Sequence, residues 1–589
     1  MMDKQSLHMI RNLMFRLLPI QVMLAALGAV NGIVSSYFAS NYISVEAMTA
    51  VGLYGPVSML LGAIGAMLSG GCAVICGKYL GMNQQEKLRH IFSMDMLVST
   101  AVGLLFAGVF VFSGVFDFAG LFTRDPLIRP IFTRYLLGQA VGVVPMLLTA
   151  QLTPFLSIEN KGNRATAAGI LYIIANFVFS FLFIQVLHLQ EFGLALASSL
   201  GLWVLFLAEA QYFTTKKAMF RFSFHGISWN ELIPVIVVGF PGAAGYMYMT
   251  VRGLAVNNLL EQYTGAAGIS AFAAANNLLN FFWAIPSGMQ AVSRMLFSVH
   301  VGEEDRRSLT DIMRVMFLYF IPLMLVIDLA VIVLARPLAY LFYKDTASDV
   351  FSMTAQCFRI LPLCMPFSIV IMHFTCYGQA SGKPGFVNFL ALMDGAVCVI
   401  LFSFLLAPVL GIRGVCLANV LNGITLNLLI LGYAWIHQKH IPRTMDELMV
   451  IPEKFGVPEK DRIDISVRTA DEVVTLAERI QHFCQEKGID EKRSYMAGLC
   501  MEEMAGNVVE HGFTKDQKDH TADIRVVYKD NKIILRIKDD CIPFDPKTRY
   551  SLLEDQDAEK NIGIRMVYSM TDDIVYQNLL GMNVLTITI

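Results

Sequence analysis

The chain has 589 residues, 55% of them hydrophobic and only 16% charged, with a net charge of −2 and a mean hydropathy of +0.56. A water-soluble protein of this size would need far more charge to cover its surface, so composition points to a membrane protein. No basic patch with interleaved aromatic residues occurs, which leaves nucleic-acid binding without support.

Apolar runs near the ~20 residues needed to cross a bilayer lie at about 17–38, 47–76, 91–115, 133–156, 165–188 and 192–214, and again at 232–260, 266–300, 313–335, 355–378, 386–410 and 412–436. The start, MMDKQSLHMIRNLMFRLLPI, lacks a small-residue cleavage site and is expected to lead directly into the first span. The second six runs repeat the first six at a constant offset: Ala50 and Ala271, Gly81 and Gly302, Pro145 and Pro366, and Gly193 and Gly414 are each 221 apart, as in 302 − 81 = 221. A duplication of that kind predicts two copies of one bundle, an N-terminal unit at 1–225 and a second at 226–440.

Lys and Arg alternate between loops. Lys4, Arg11 and Arg16 precede span one, Lys78, Lys87 and Arg89 follow span two, Lys161 and Arg164 follow span four, Lys216, Lys217 and Arg221 follow span six, and Arg306 and Arg307 follow span eight. Arg124 and Arg129 break the pattern. Cationic loops stay on the cytoplasmic side, so both termini are expected there in a multi-pass protein of the cell membrane, with the lipid bilayer as a partner. Ten cysteines without regular spacing predict free thiols, and the pair in CAVIC at 72–76 reads as packing in preference to a metal site.

The run LPIQVMLAALGAVNGIVSSYFASNYISVEAMTAVGLYGPV, followed by SGGCAVICGKYLGMNQQEKLRHIF, resembles the opening of the multidrug and toxic compound extrusion (MATE) family, and the resemblance extends over about 18–437. It implies two six-helix bundles facing each other across a cleft, exporting small organic molecules by alternating access coupled to H⁺ or Na⁺. Many members carry an Asp where this chain has Asn31, and an Asn followed four residues later by Asp where it has Asn176 and Ser180. A cation relay needs an ionisable group in the membrane, which moves attention to Arg252, Asp328, His373 and Asp394 in the second bundle. Counting helix rise puts Arg252 and Asp328 in the outer half and His373 and Asp394 in the inner half, so each couple is placed to pair. A structural salt bridge is one reading of the first couple, and an arginine facing an anionic substrate is the other. A neutral, hydrogen-bonded imidazole is the bland reading of His373.

After Trp435 the chain turns polar, and 441–462 reads as a linker. From 463 to 589, β-rich runs (RIDISV, ADIRVVY, KIILRIKD, DIVYQ, NVLTITI) alternate with amphipathic helices at 471–487 and 491–511, which predicts a cytosolic α/β sandwich. In MEEMAGNVVEHG, Glu503, Asn507 and His511 are four apart and are expected to share a helix face. Asp539 ends an apolar strand, and Gly563 in NIGIRMV is expected at a helix start able to hold phosphate. In this order they resemble the boxes of the GHKL ATPases, most closely the anti-sigma-factor serine kinases. The resemblance implies ATP and Mg²⁺, with Glu503 as general base, Asn507 as metal ligand and Asp539 on the adenine amino group. Cys541, Pro543 and Asn561 stand where family glycines are usual, and a Cβ at Cys541 and Asn561 narrows the expected pocket. No dimerising hairpin with a phosphoacceptor His precedes residue 463, so a histidine kinase is disfavoured. Two functions follow: an exporter whose ATP-binding domain regulates it or phosphorylates a partner protein, or a membrane-tethered serine kinase with the bundle as sensor.

Overall fold

The computed structural model describes the chain except for residues 1, 39–41, 44, 123–124, 216–217, 225, 516–519 and 548–561. In lipid every backbone polar group has to be satisfied within the span, so the apolar runs form helices. The first bundle is α1 (Met2–Phe38), α2 (Val45–Gly81), α3 (Gln85–Val111), α4 (Ile128–Ile158), α5 (Gly162–Phe181) and α6 (Gln190–Phe213). The second begins with α7 (Leu232–Gly302), whose 71 residues would reach about 107 Å if straight, over three times the hydrocarbon thickness. Gly265, at φ 65° and ψ −166°, breaks it. Residues with a Cβ avoid that backbone region, so the glycine allows the chain to fold back as two crossings. Among the described residues, eleven helices are long and apolar enough to span a membrane, and the break in α7 makes them twelve crossings.

The next three spans are interrupted. α8 (Arg306–Val315) joins α9 (Ile321–Val333) through a π turn at Met316–Phe320, and α10 (Ala335–Phe342) follows. α11 (Asp349–Ile360) meets α12 (Met365–Ala380) at a 3₁₀ turn, Leu361–Cys364. α13 (Pro384–Leu392) and α14 (Cys398–Leu410) flank a second π turn, Met393–Val397, and α15 (Ile412–Gln438) closes the bundle. The internal repeat survives in the backbone: Asn83 and Glu304 are both left-handed and 304 − 83 = 221, as are Gln190 and Gly411, with 411 − 190 = 221. None of the ten cysteines is in a disulfide and all are buried, Cys72 and Cys76 in the core of the first bundle.

The bundles meet where α2 crosses α7. A Cβ on Gly81 would lie 2.1 Å from the Val299 carbonyl oxygen, and one on Gly302 would lie 2.0 Å from that of Lys78. The two contacts are images of each other under the repeat, since 302 − 81 and 299 − 78 are both 221. Backbones this close require glycine on both sides, as in other small-residue crossings in membranes.

The expected 441–462 linker carries a short helix, α16 (Met445–Met449), and packs on the second bundle: Met449 and Ile451 join its core, and Lys383 Nζ donates to the carbonyls of Met449 and Val450. β1 (Arg462–Val467), β2 (Ala522–Lys529), β3 (Lys532–Asp539), β4 (Asp573–Leu579) and β5 (Met582–Thr588) form one antiparallel sheet in the order β1-β2-β3-β5-β4. Asp530 and Asn531, both left-handed, make the tight turn between β2 and β3, and Leu580 and Gly581 the one between β4 and β5. Helices α17 (Ala470–Glu486), opened by a Thr469/Glu472 capping box, α18 (Glu491–Asn507) and α19 (Ile562–Met570) contribute to one core with the inward residues Ile524, Val526, Leu535, Ile537, Leu585 and Ile587. The alternate residues of the sheet face the bundles.

Candidate functional site

A cavity of about 570 Å³ opens in the C-terminal domain between α18, the ends of β3 and β5, and α19. Its walls are the apolar Met504, Ile537, Ile564 and Leu585, and its polar groups are Asn507, His511, Lys515, Asp539 and Asn583. Asp539 is 5% exposed, and its Oδ1 accepts from the Cys541 N–H at 3.0 Å and from Asn583 Nδ2 at 2.7 Å. Burial raises its pKa above the ordinary carboxylate value, and those hydrogen bonds lower it by less. An aspartate at the floor of an apolar slot is suited to accept from an exocyclic amine. It does so as the carboxylate, so protonation removes the acceptor. Nucleotide affinity is therefore expected to fall on the acid side at a higher pH than an ordinary aspartate would cause, and titration calorimetry between pH 4 and 7 checks this.

Asn507 Nδ2 donates to Glu503 Oε1 at 3.1 Å, which leaves the amide carbonyl as the end able to ligate a cation. Gly563, in the first turn of α19, lies so near Glu503 that a Cβ would fall 1.8 Å from its Oε1. The structure thus brings Glu503, Asn507, Asp539 and Gly563 together. Regular helix ends at Asn507 and passes into a π turn, Val508–Gly512, and His511 in that turn lines the cavity with Asn507. Cys541 is buried in the wall and Asn561 lies outside the described residues.

In the second bundle, Arg252, Asp328 and Asp394 are all close enough to Cys364 to act on it electrostatically. The pairs predicted by helix rise are absent among the described residues. Asp328 is 2% exposed, and neither carboxylate oxygen has a hydrogen-bond partner, so the Arg252–Asp328 bridge does not form. Asp394, in the π turn, accepts from Asn422 Nδ2 at 2.8 Å and not from His373. His373 is fully buried, with Nδ1 2.7 Å from the Ile369 carbonyl and Nε2 unpartnered, the arrangement of a neutral imidazole. Rise along a helix gives depth and not direction, and the turns at 316–320, 361–364 and 393–397 reset the angular register. In the first bundle the Asn31 side chain lies outside the described residues, and the buried Asn176 Oδ1 accepts from Ser180 and Ser198 at 3.4 Å.

Sequence reasoning missed two buried acids in the first bundle, Asp95 and Glu209, each 1% exposed. Asp95 lies beside the Cys72 thiol and the Ser99 hydroxyl, and Glu209 Oε1 accepts from Thr153 while its Oε2 has no hydrogen-bond partner. The signal was a lone acid within an apolar run. It also missed the loop 303–305. Lys538 Nζ is 2.5 Å from Glu303 Oε2 and 3.5 Å from Asp305 Oδ2, and Arg525 is 3.2 Å from Asp305 Oδ1. Burial would raise the pKa of both acids, but these cations, with Arg536 and His300 at Glu303, outweigh it and hold them well below the usual range.

Two pseudo-symmetric six-helix bundles, each with buried ionisable groups, together with a nucleotide-type cavity in an attached domain, define a polytopic transporter carrying an ATPase module. The MatE family matches residues 19–182 and 241–407, more than half of the chain, and the histidine kinase-like ATPase domain matches 465–589. The chain belongs to the MatE family and carries a kinase-like ATPase domain, a class that implies a small-molecule substrate, a membrane and nucleotide binding, usually with Mg²⁺. Among solved structures it is similar to an outward-facing multidrug-resistance MATE transporter of the MOP superfamily, at 18% identity and TM-score 0.66, covering 74% of this chain and 96% of that one. A Vibrio cholerae MATE transporter in the bent form matches at 16% identity and TM-score 0.66, over 72% and 96%. A MOP-superfamily transporter from Pyrococcus furiosus, whose binding pocket is described as reversed in polarity, matches at 19% and 0.66, over 75% and 98%. At these identities the likeness shows the fold. No curated protein matches the chain.

Proposed function

We propose that this protein is a secondary active antiporter that exports small organic molecules, with its ATPase domain on the cytoplasmic side regulating it. The observation that carries the coupling is Asp328, a carboxylate buried in a span with no hydrogen-bond donor on either oxygen. A bare charge there is costly, so the group takes up a proton or a small cation. Asp394, held by Asn422 in a π turn, is the second acid of the same region, and Arg252, which like both acids acts on Cys364, is the fixed positive charge that an anionic substrate group would meet. Domains at 1–225, 226–440 and 463–589 fit this division of labour. The cytoplasmic orientation is supported by the domain's contacts, which fall beside the cation clusters: Arg16 donates to the Leu580 carbonyl, and Lys538 and Arg525 meet Glu303 and Asp305 next to Arg306 and Arg307.

Flux into and out of proteoliposomes under an imposed pH or Na⁺ gradient, with and without enclosed Mg-ATP, tests the reading. Asp328→Asn is expected to lower gradient-driven flux at least about tenfold while leaving substrate-binding affinity near wild type. Arg252→Gln is expected to cripple flux without rescue by added Asp328→Asn; full rescue would make the arginine structural. Equal flux with and without either gradient would sink the antiporter.

The serine-kinase alternative draws on the Glu503–Asn507 pair, which is arranged for a base and a metal ligand beside a γ-phosphate. There Glu503 would take the proton of an attacking serine hydroxyl as the phosphoryl group leaves ADP. Transfer of labelled phosphate to a partner protein, lost in Glu503→Ala with ATP binding kept, is its signature.

A further inference from the structure

The sheet of the ATPase domain is one residue thick, and its two faces touch different things. On β3, Asp539 faces the nucleotide cavity while its neighbour Lys538 faces the bundles and meets Glu303 and Asp305. On β5 the partners of these residues alternate in the same way: Asn583 bonds Asp539, and Val584 packs into the first-bundle core.

The bundle-facing side holds both halves of the internal repeat. Gln577 Nε2 donates to Asn83 Oδ1 at 2.5 Å, and Lys529 Nζ is 3.1 Å from Glu304. Asn83 and Glu304 are the repeat-equivalent left-handed residues of the loops that follow α2 and α7, immediately beyond the Gly81 and Gly302 crossing. The β4–β5 hairpin anchors the sheet on the first bundle: Leu579 and Val584 belong to that bundle's core, the Leu580 N–H donates to the Ile158 carbonyl, and Arg16 donates to the Leu580 carbonyl. His300, Glu303 and Asp305 by themselves form a trio able to hold a metal, but Lys538 Nζ sits against Glu303, where the ion would go, and supplies the positive charge.

We infer that the open face of the ATPase sheet is a docking surface for the two repeat-equivalent loops, a staple that holds this end of the bundles closed and that nucleotide on the opposite face of the same strands controls. Alternating access requires the α2–α7 crossing to separate, and one rigid sheet bonded to both loops opposes that. Opening has to break either the ion pairs of the second bundle or the hairpin contacts of the first. Nucleotide bears on the staple through Asp539 and Asn583, whose strand neighbours Lys538 and Val584 make those contacts. The inference rests on the transporter reading for its purpose and on the interface for its existence.

Because the native cysteines are all buried, spin labels can be placed selectively on the full-length protein in nanodiscs at the exposed positions Glu86→Cys and His437→Cys, one on each bundle at this end. A second pair, Glu478→Cys with His437→Cys, reports docking of the domain. Lys538→Glu sits on the outer face of the sheet and opposes Glu303 and Asp305. It is expected to raise the long-distance population of both pairs about fivefold. Lys529→Glu, at a half-exposed pair, is expected to give a smaller rise that Glu304→Lys reverses. A non-hydrolysable ATP analogue with Mg²⁺ is expected to shift the Glu86–His437 distribution in the otherwise native protein and not in an Asp539→Ala background.

Undocking of the domain without separation of the bundles would overturn the staple, as would unchanged distances in both charge variants. An absent nucleotide shift would overturn the control. Distance changes as expected in a protein that carries no substrate in any flux assay would remove the transporter reading and leave the staple standing.

Discussion

Gly302→Ala and Gly81→Ala are each expected to destabilise the bundle pair by about 2–4 kcal/mol, the upper end of the cost of overpacking a tight core. The added methyl would lie 2.0 Å from the Lys78 carbonyl oxygen in the first variant and 2.1 Å from that of Val299 in the second. Neither obstacle is a side chain that can swing away. The helices have to part, and the Asn83 and Glu304 loops just beyond them part too. Gly432→Ala is the control, because its methyl meets nothing within 4 Å, and alanine favours helix. Thermal unfolding of the purified protein followed by loss of its monodisperse peak reads all three. A Gly302→Ala protein as stable as Gly432→Ala would show that the crossing has room for a methyl group.

Nucleotide selection is expected to depend on Asp539 more than on any other side chain of the cavity. The carboxylate accepts from Asn583 and from the Cys541 N–H, and its place on the cavity floor suits it to the adenine amino group. Asp539→Ala leaves the adenine amine without its acceptor, at about 1–3 kcal/mol for the nucleotide, or roughly tenfold to a hundredfold in affinity. Inosine triphosphate gives a sharper comparison, since a carbonyl replaces the amine and would face the carboxylate as a second acceptor. The native protein is expected to prefer ATP by a similar factor. Asp539→Asn, whose amide can donate or accept, is expected to bring the preference close to one. Calorimetry with both nucleotides checks this, and a native protein that binds the two equally would remove Asp539 from adenine recognition.

The sequence alone was enough for everything that depends on local pattern. Twelve apolar runs and a 221-residue repeat imply twelve helices in two copies, because a lipid-embedded backbone has no other way to satisfy its amides. Glu503, Asn507, Asp539 and Gly563 were legible because each sits at a characteristic place on its helix or strand, and the sandwich brings those places together. Angular register and docking were decided by tertiary structure. Arg252 and Asp328 have matching depths along their helices, yet depth says nothing of azimuth, and the π and 3₁₀ turns rotate the segments beyond them, so Asp394 meets Asn422 in place of His373. Glu303 and Lys538, 235 residues apart, read in sequence as ordinary loop and strand charges. They become a buried pair because the sheet's polar face settles on the loops, and the burial that gives the pair its strength exists in the folded assembly and nowhere in the local sequence.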